Sequence, residues 1–156
     1  MRRRYLAAAF AVAFSACSVG NQSVGAPASG PLPSDLNELV RFLAHKDATC
    51  EAKGKYGDVS CSIGNRSGTL AIIRSRDNLV IEQTIAFDAG NDTMMFFAIH
   101  LGDIVQRLGM RPAQREECTN SPLSGAVIRY TLPRFYVRCE GTARSNIHLV
   151  VWFTPK

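Results

Sequence analysis

Apolar residues recur at helical spacing near the start of the folded part of the chain. Leu36, Leu39, Val40 and Leu43 fall on one side of a helix that Ser34 can cap, beginning at Asp35 and running to about Lys46. A second stripe, Phe97, Leu101, Ile104, Val105 and Leu108, predicts a helix over Asp92–Leu108, capped by Asp92 and ended by Gly109 and Pro112. The remaining pattern reads as strands. Thr69–Arg74 and Asn78–Phe87 are rich in Ile, Val and Leu, with Arg76-Asp77-Asn78 as the turn between them. Gly125–Leu132 and Phe135–Cys139 flank a tight reversal at Pro133-Arg134. In the last strand, Ile147–Thr154, the odd-numbered Ile147, Leu149, Val151 and Phe153 face a core and leave His148, Val150 and Trp152 on the opposite side.

The N-terminal pattern is of another kind. Arg2, Arg3 and Arg4 precede an uncharged apolar run, Leu6–Phe14, too short to span a bilayer, which needs about twenty residues. Phe14-Ser15-Ala16-Cys17 resembles a lipobox, so residues 1–16 read as a lipoprotein signal peptide and Cys17 as the lipidated residue. Cleavage within Ala11–Ala16 or after Ala28 stays open as the alternative. Ser18–Pro33 has no aromatic and no charged residue and reads as a flexible tether spanning on the order of 20 Å. These features point to the bacterial cell envelope, with the periplasmic face of the outer membrane as the expected address. A secreted or soluble periplasmic protein is the alternative. The formal charge of +5 falls to +2 without the three leader arginines, so the basic balance is no argument for nucleic acid.

Ser34–Lys156 is a normal size for one domain, and it contains an internal likeness. Val59–Ile73 (VSCSIGNRSGTLAII) aligns without a gap on Val137–Val151 (VRCEGTARSNIHLVV), matching Val, Cys, an Arg-Ser pair and an apolar run. Each half then runs helix, first cysteine, second cysteine, strand, over about residues 34–88 and 89–156. Of five cysteines, Cys17 is assigned to lipid, leaving four that could pair in three ways. The repeat selects Cys50 with Cys61 across a first hairpin and Cys118 with Cys139 across a second, each worth about 3 kcal/mol.

Reactive constellations are hard to find. No Cys-x-x-Cys or closely spaced Cys/His pair suggests zinc or thiol redox chemistry. His45 ends the first helix, His100 flanks the second stripe with Asp103 nearby, and His148 lies on a strand beside Trp152. There is no Gly-x-Ser-x-Gly elbow, His-Glu-x-x-His or phosphate-cradling glycine loop. Glu116 and Glu117, read on a strand, point to opposite faces and make a poor catalytic pair. A surface is easier to propose. Tyr136 and Arg138 share a side of their strand, Arg129 can lie opposite, and His148 and Trp152 occupy a non-core face.

Cys50-Glu51, Gly54, Tyr56-Gly57-Asp58 and Cys61, with His148-Leu149 and Trp152-Phe153-Thr154, resemble the β-lactamase inhibitory protein family. The resemblance implies two tandem α/β repeats, each with one disulfide. It also implies that Tyr56, His148 and Trp152 lie where such proteins grip a partner. Val105–Pro112 (VQRLGMRP) is similar to a helix end in the small lipoproteins of the β-barrel assembly machinery, whose architecture is related.

The expected fold is α+β, an antiparallel sheet with helices on one face, built from two helix-plus-strands repeats and stapled by two disulfides. The expected function is a non-catalytic, membrane-anchored protein-binding module without cofactor, metal or nucleic acid. Its partner-binding residues would be Tyr56, Asp58, Arg129, Tyr136, Arg138, His148 and Trp152. An inhibitor or immunity-type protein blocking an envelope hydrolase or toxin is the alternative, and an envelope enzyme a further one.

Overall fold

The computed structural model describes residues 31–53 and 57–156. The leader, Cys17 and all but the end of the tether lie outside the described residues, as does Tyr56. Described elements follow the order α1 (Leu36–Leu43), β1 (Thr49–Lys53), β2 (Asp58–Asn65), β3 (Gly68–Ser75), β4 (Asn78–Ala86), α2 (Asn91–Arg107), α3 (Pro112–Thr119), α4 (Ser121–Ser124), β5 (Ile128–Thr131), β6 (Phe135–Ala143) and β7 (Asn146–Pro155). The strands form one antiparallel sheet in the order β1-β2-β3-β4-β7-β6-β5, with all four helices packed on one face.

Strand alternation decides which residues meet those helices. One transverse row crosses the whole sheet on the helix side: Cys50, Cys61, Ile72, Ile81, Val151, Cys139 and Ile128. Leu39, Val40 and Leu43 of α1 and Phe97, Leu101, Ile104 and Val105 of α2 close over it, all buried. Both predicted disulfides are formed. Cys50–Cys61 joins directly opposed residues, Cα atoms 4.0 Å apart.

The second bridge departs from expectation. Cys118 lies on α3, so Cys118–Cys139 ties a helix to a strand instead of crossing a hairpin. Glu116 and Glu117 are therefore on a helix, not a strand. Pro112, expected only to stop α2, is the first residue of α3, where its missing N–H leaves nothing unsatisfied. The α2 stop itself is as expected: Gly109 adopts φ +98°, its N–H bonds Gln106 O, and the Met110 N–H bonds Val105 O.

Smaller corrections have equally local causes. Asp35, not Ser34, caps α1, its carboxylate accepting from the Glu38 N–H at 2.9 Å. That helix stops at Leu43 rather than Lys46 because Ala44 is extended, and a turn follows in which Asp47 N donates to His45 Nδ1. Gly90, not Asp92, precedes α2 as its cap. Gly125 takes φ +66° to end α4, delaying β5 to Ile128.

The repeat is present in the hairpins but shifted by one residue. Asn65 pairs with Gly68 across Arg66-Ser67, whereas Ala143 pairs with Ile147 across Arg144, Ser145 and Asn146. A gap-free alignment thus sets buried Leu70 and Ile72 on His148 and Val150 of the opposite face; one extra turn residue restores Leu70 to Leu149 and Ile72 to Val151.

At the far end, Arg134 in the β5–β6 turn donates to the carbonyls of Leu32 and Pro33 at 3.3 and 3.0 Å. The chain therefore joins the domain beside that turn.

Candidate functional site

Among the described residues nothing packs as a helix on the second face of the sheet, and its side chains fall in transverse rows, three of which cross the middle of the sheet. The first runs Ser60, Ile73, Val80, Trp152, Arg138, Arg129. The second is Ser62, Ala71, Glu82, Val150, Glu140, and the third Thr69, Thr84, His148, Thr142. The backbone ladder brings Arg129, Arg138 and Trp152 side by side on the three successive strands β5, β6 and β7.

Glu140 organises this cluster. Its carboxylate accepts from Arg138 Nε at 3.1 Å, from Arg138 Nη2, and from Trp152 Nε1 at 3.2 Å. Arg138 holds the Glu140 carboxyl below its ordinary pKa; partial burial opposes this, and Trp152 and Arg129 add to it. The indole and guanidinium are thereby fixed in orientation while their outer surfaces stay open. Tyr136, 55% exposed, continues the surface on β6, with Lys156 Nζ 5.4 Å from its ring centre.

His148 stands apart. It is four residues from Trp152 on β7, about 13 Å at strand rise, and its Nε2 lies 2.8 Å from Glu82 Oε1. Thr84 and Thr142 flank it on the neighbouring strands. An imidazole oriented by a carboxylate is half of a general-base arrangement, but this one opens on a flat sheet surface. Asp58 does not join either group. It pairs with Arg74 at 3.4 Å, and β3 and β4 separate its strand from β7. Its neighbours are fastened to α1, the Val59 N–H donating to Asn37 Oδ1 at 3.0 Å.

The helix side holds a feature the sequence reading missed. His45, in the turn that follows α1 and not at the helix end expected for it, and His100, on α2, approach with ring centres 4.5 Å apart, and Phe96 stacks edge-on against His100 at 4.2 Å. Next to them α2 exposes Met94, Met95 and Ile99, the last two at 62% and 60%. Met95 and Ile99 are four residues apart on the side away from Phe97 and Leu101, so α2 carries two apolar stripes. A second count at helical spacing would have found them. A cavity of about 300 Å³ lies beside this patch, lined by Ile63, Gly64, Asn65, Asp92, Thr93, Phe96 and Phe97.

Burial and the neighbouring His45 lower the His100 pKa from 6.5, with Asp103 opposing. A group whose folded pKa is depressed prefers its neutral form in the native state, and for histidine that preference costs stability in acid. Stability is therefore expected to fall as pH drops through 6.5 towards the lowered folded value and to be regained above it. His100→Gln should flatten urea midpoints measured between pH 7.5 and 5; an unchanged slope would assign the pH dependence to other groups.

In comparisons with known proteins, no family model, curated protein or solved structure matches this chain. Among the described residues no helix is long and apolar enough to cross a membrane, and no three metal-ligating side chains converge.

Proposed function

We propose that the protein is a non-catalytic protein-binding module of the bacterial cell envelope, anchored through lipid at Cys17, that grips a protein partner with the open face of its sheet. The observation that carries this reading is the row Trp152, Arg138, Arg129, continued by Tyr136. It is a connected aromatic and guanidinium surface on a face left free by the helices. Such side chains dominate binding energy because they remove large areas from water and still donate hydrogen bonds. Glu140 keeps two of them in place before any partner arrives, which reduces the entropy lost on binding. Arg2–Arg4, the short apolar run and Cys17 support the anchor, and the uncharged segment to Pro33 supports a tether.

The test is crosslinking in living cells with mass spectrometry of what is recovered from the membrane fraction, comparing wild type with Trp152→Ala/Arg138→Ala. One partner, captured by wild type and lost in a variant that still melts as a folded protein, is the expected result. Equal recovery from both removes this face from the reading, and a wild-type protein found wholly in the soluble fraction removes the anchor.

A further inference from the structure

β5 ends the sheet, and the hydrogen-bond parity of its ladder fixes which backbone groups it leaves unpaired. The Leu132 N–H donates to Phe135 O at 2.8 Å across the turn, so 132 and 135 form a hydrogen-bonded pair. In an antiparallel ladder such pairs alternate with non-bonded ones. The pairs Tyr130–Val137 and Ile128–Cys139 are then bonded, whereas Arg129–Arg138 and Thr131–Tyr136 are not. The N–H and C=O of Arg129 and Thr131 therefore point away from β6, off the edge of the sheet. Both residues are exposed, and their side chains rise on the open face.

Charge selects what could lie there. Arg138 is occupied by Glu140, while Arg129 reaches that carboxylate only through its field. Arg129 is thus the cation at the edge with capacity for a new carboxylate. On the helix side the acidic groups are the chain's own: Glu117 accepts from the Tyr130 hydroxyl at 2.5 Å, and Glu116 beside it is exposed. An added strand with carboxylates on the open side and small apolar residues on the helix side complements both. A strand of opposite pattern would set apolar side chains against Arg129 and carboxylates against Glu117.

We propose that the free edge of β5 takes an extended acidic segment of the partner as an eighth strand, with the outward N–H and C=O of Arg129 and Thr131 forming the ladder and the Arg129 guanidinium reading the acid. This names the chemistry of the partner and rests on the reading of the open face as a protein-binding surface. Strand addition supplies affinity through main-chain bonds and specificity through alternate side chains, and so requires both features at one edge.

The probe is a capped heptapeptide of alternating glutamate and valine, titrated at millimolar concentration into 15N-labelled protein. The Arg129 and Thr131 amide signals should shift and their hydrogen exchange should slow. Arg129→Glu should weaken binding roughly tenfold by placing like charges together. Thr131→Pro should abolish it, since proline removes an outward N–H and leaves the β5–β6 ladder intact. A peptide N-methylated at alternate residues gives the same comparison without altering the protein. Undiminished binding to Thr131→Pro or of the N-methylated peptide, or no response at Arg129 and Thr131, overturns the edge proposal. The two readings fail separately in cells. A partner lost with Trp152→Ala/Arg138→Ala but kept by Thr131→Pro leaves the face standing and removes the edge; a partner kept by every variant removes the face itself.

Discussion

Replacing Phe97 by alanine is expected to lower the unfolding free energy by about 3–5 kcal/mol, read from urea denaturation. Phe97 is 1% exposed and is one of the buried α2 residues that close over the sheet. Its ring stands over Gly68 so closely that a Cβ on that glycine would lie 2.5 Å from Phe97 Cε2 and 3.0 Å from Thr84 O. The ring thus fills the space that the missing side chain leaves. Gly68→Ala should destabilise the wild type by about 1–3 kcal/mol through this overlap. It should cost distinctly less in the Phe97→Ala background, leaving a coupling energy between the two sites. Additive effects would mean that the backbone of β3 moves away from α2 instead of the ring being the obstacle.

The second large effect is expected from Cys118→Ala/Cys139→Ala, at about 3 kcal/mol for a loop of this length. Cys139 is fully buried in the transverse core row, and Cys118 is the buried residue of α3. Beyond this bridge, α3 is held to its surroundings by the Tyr130 hydroxyl on Glu117 and a long contact of 3.5 Å between Arg115 and Gln106. The loss should therefore be local as well as global, with α3 amides exchanging much faster than those of β6. Removing Cys50–Cys61 should not expose a helix in this way, because its cysteines are already opposed in the β1–β2 ladder. Uniform exchange across α3 and β6 in the double variant would overturn the assignment of α3 to the bridge.

The difference between these disulfides also explains what was legible in the sequence. α2 and β7 were readable because burial imposes a period: Phe97 to Leu108 at helical spacing, and Ile147 to Phe153 by alternation. α3 imposes none, since its single buried residue is Cys118 and a covalent bond does the work of an apolar face. The repeat was legible in Val59, Cys61, Val137 and Cys139, which fall on equivalent core positions, but its register was not. An extra turn residue costs nothing in the turn while reversing the facing of every residue after it. For the candidate site, the sides taken by Tyr136, Arg138, His148 and Trp152 followed from strand parity. Glu82 was invisible because its partner, His148, belongs to another strand, and so was the link of Glu140 to Trp152, although Arg138 lies two residues from Glu140 on β6. Tyr56 lies outside the described residues, and Asp58 is engaged by Arg74.

The grip of Arg134 on Leu32 and Pro33 has a consequence for how the domain stands. Because the chain enters beside the β5–β6 turn, its point of entry lies at the end of the strands and not over the open face. Side chains along the middle of that face, Trp152 and Arg138 among them, can therefore be covered by another molecule without displacing the incoming chain.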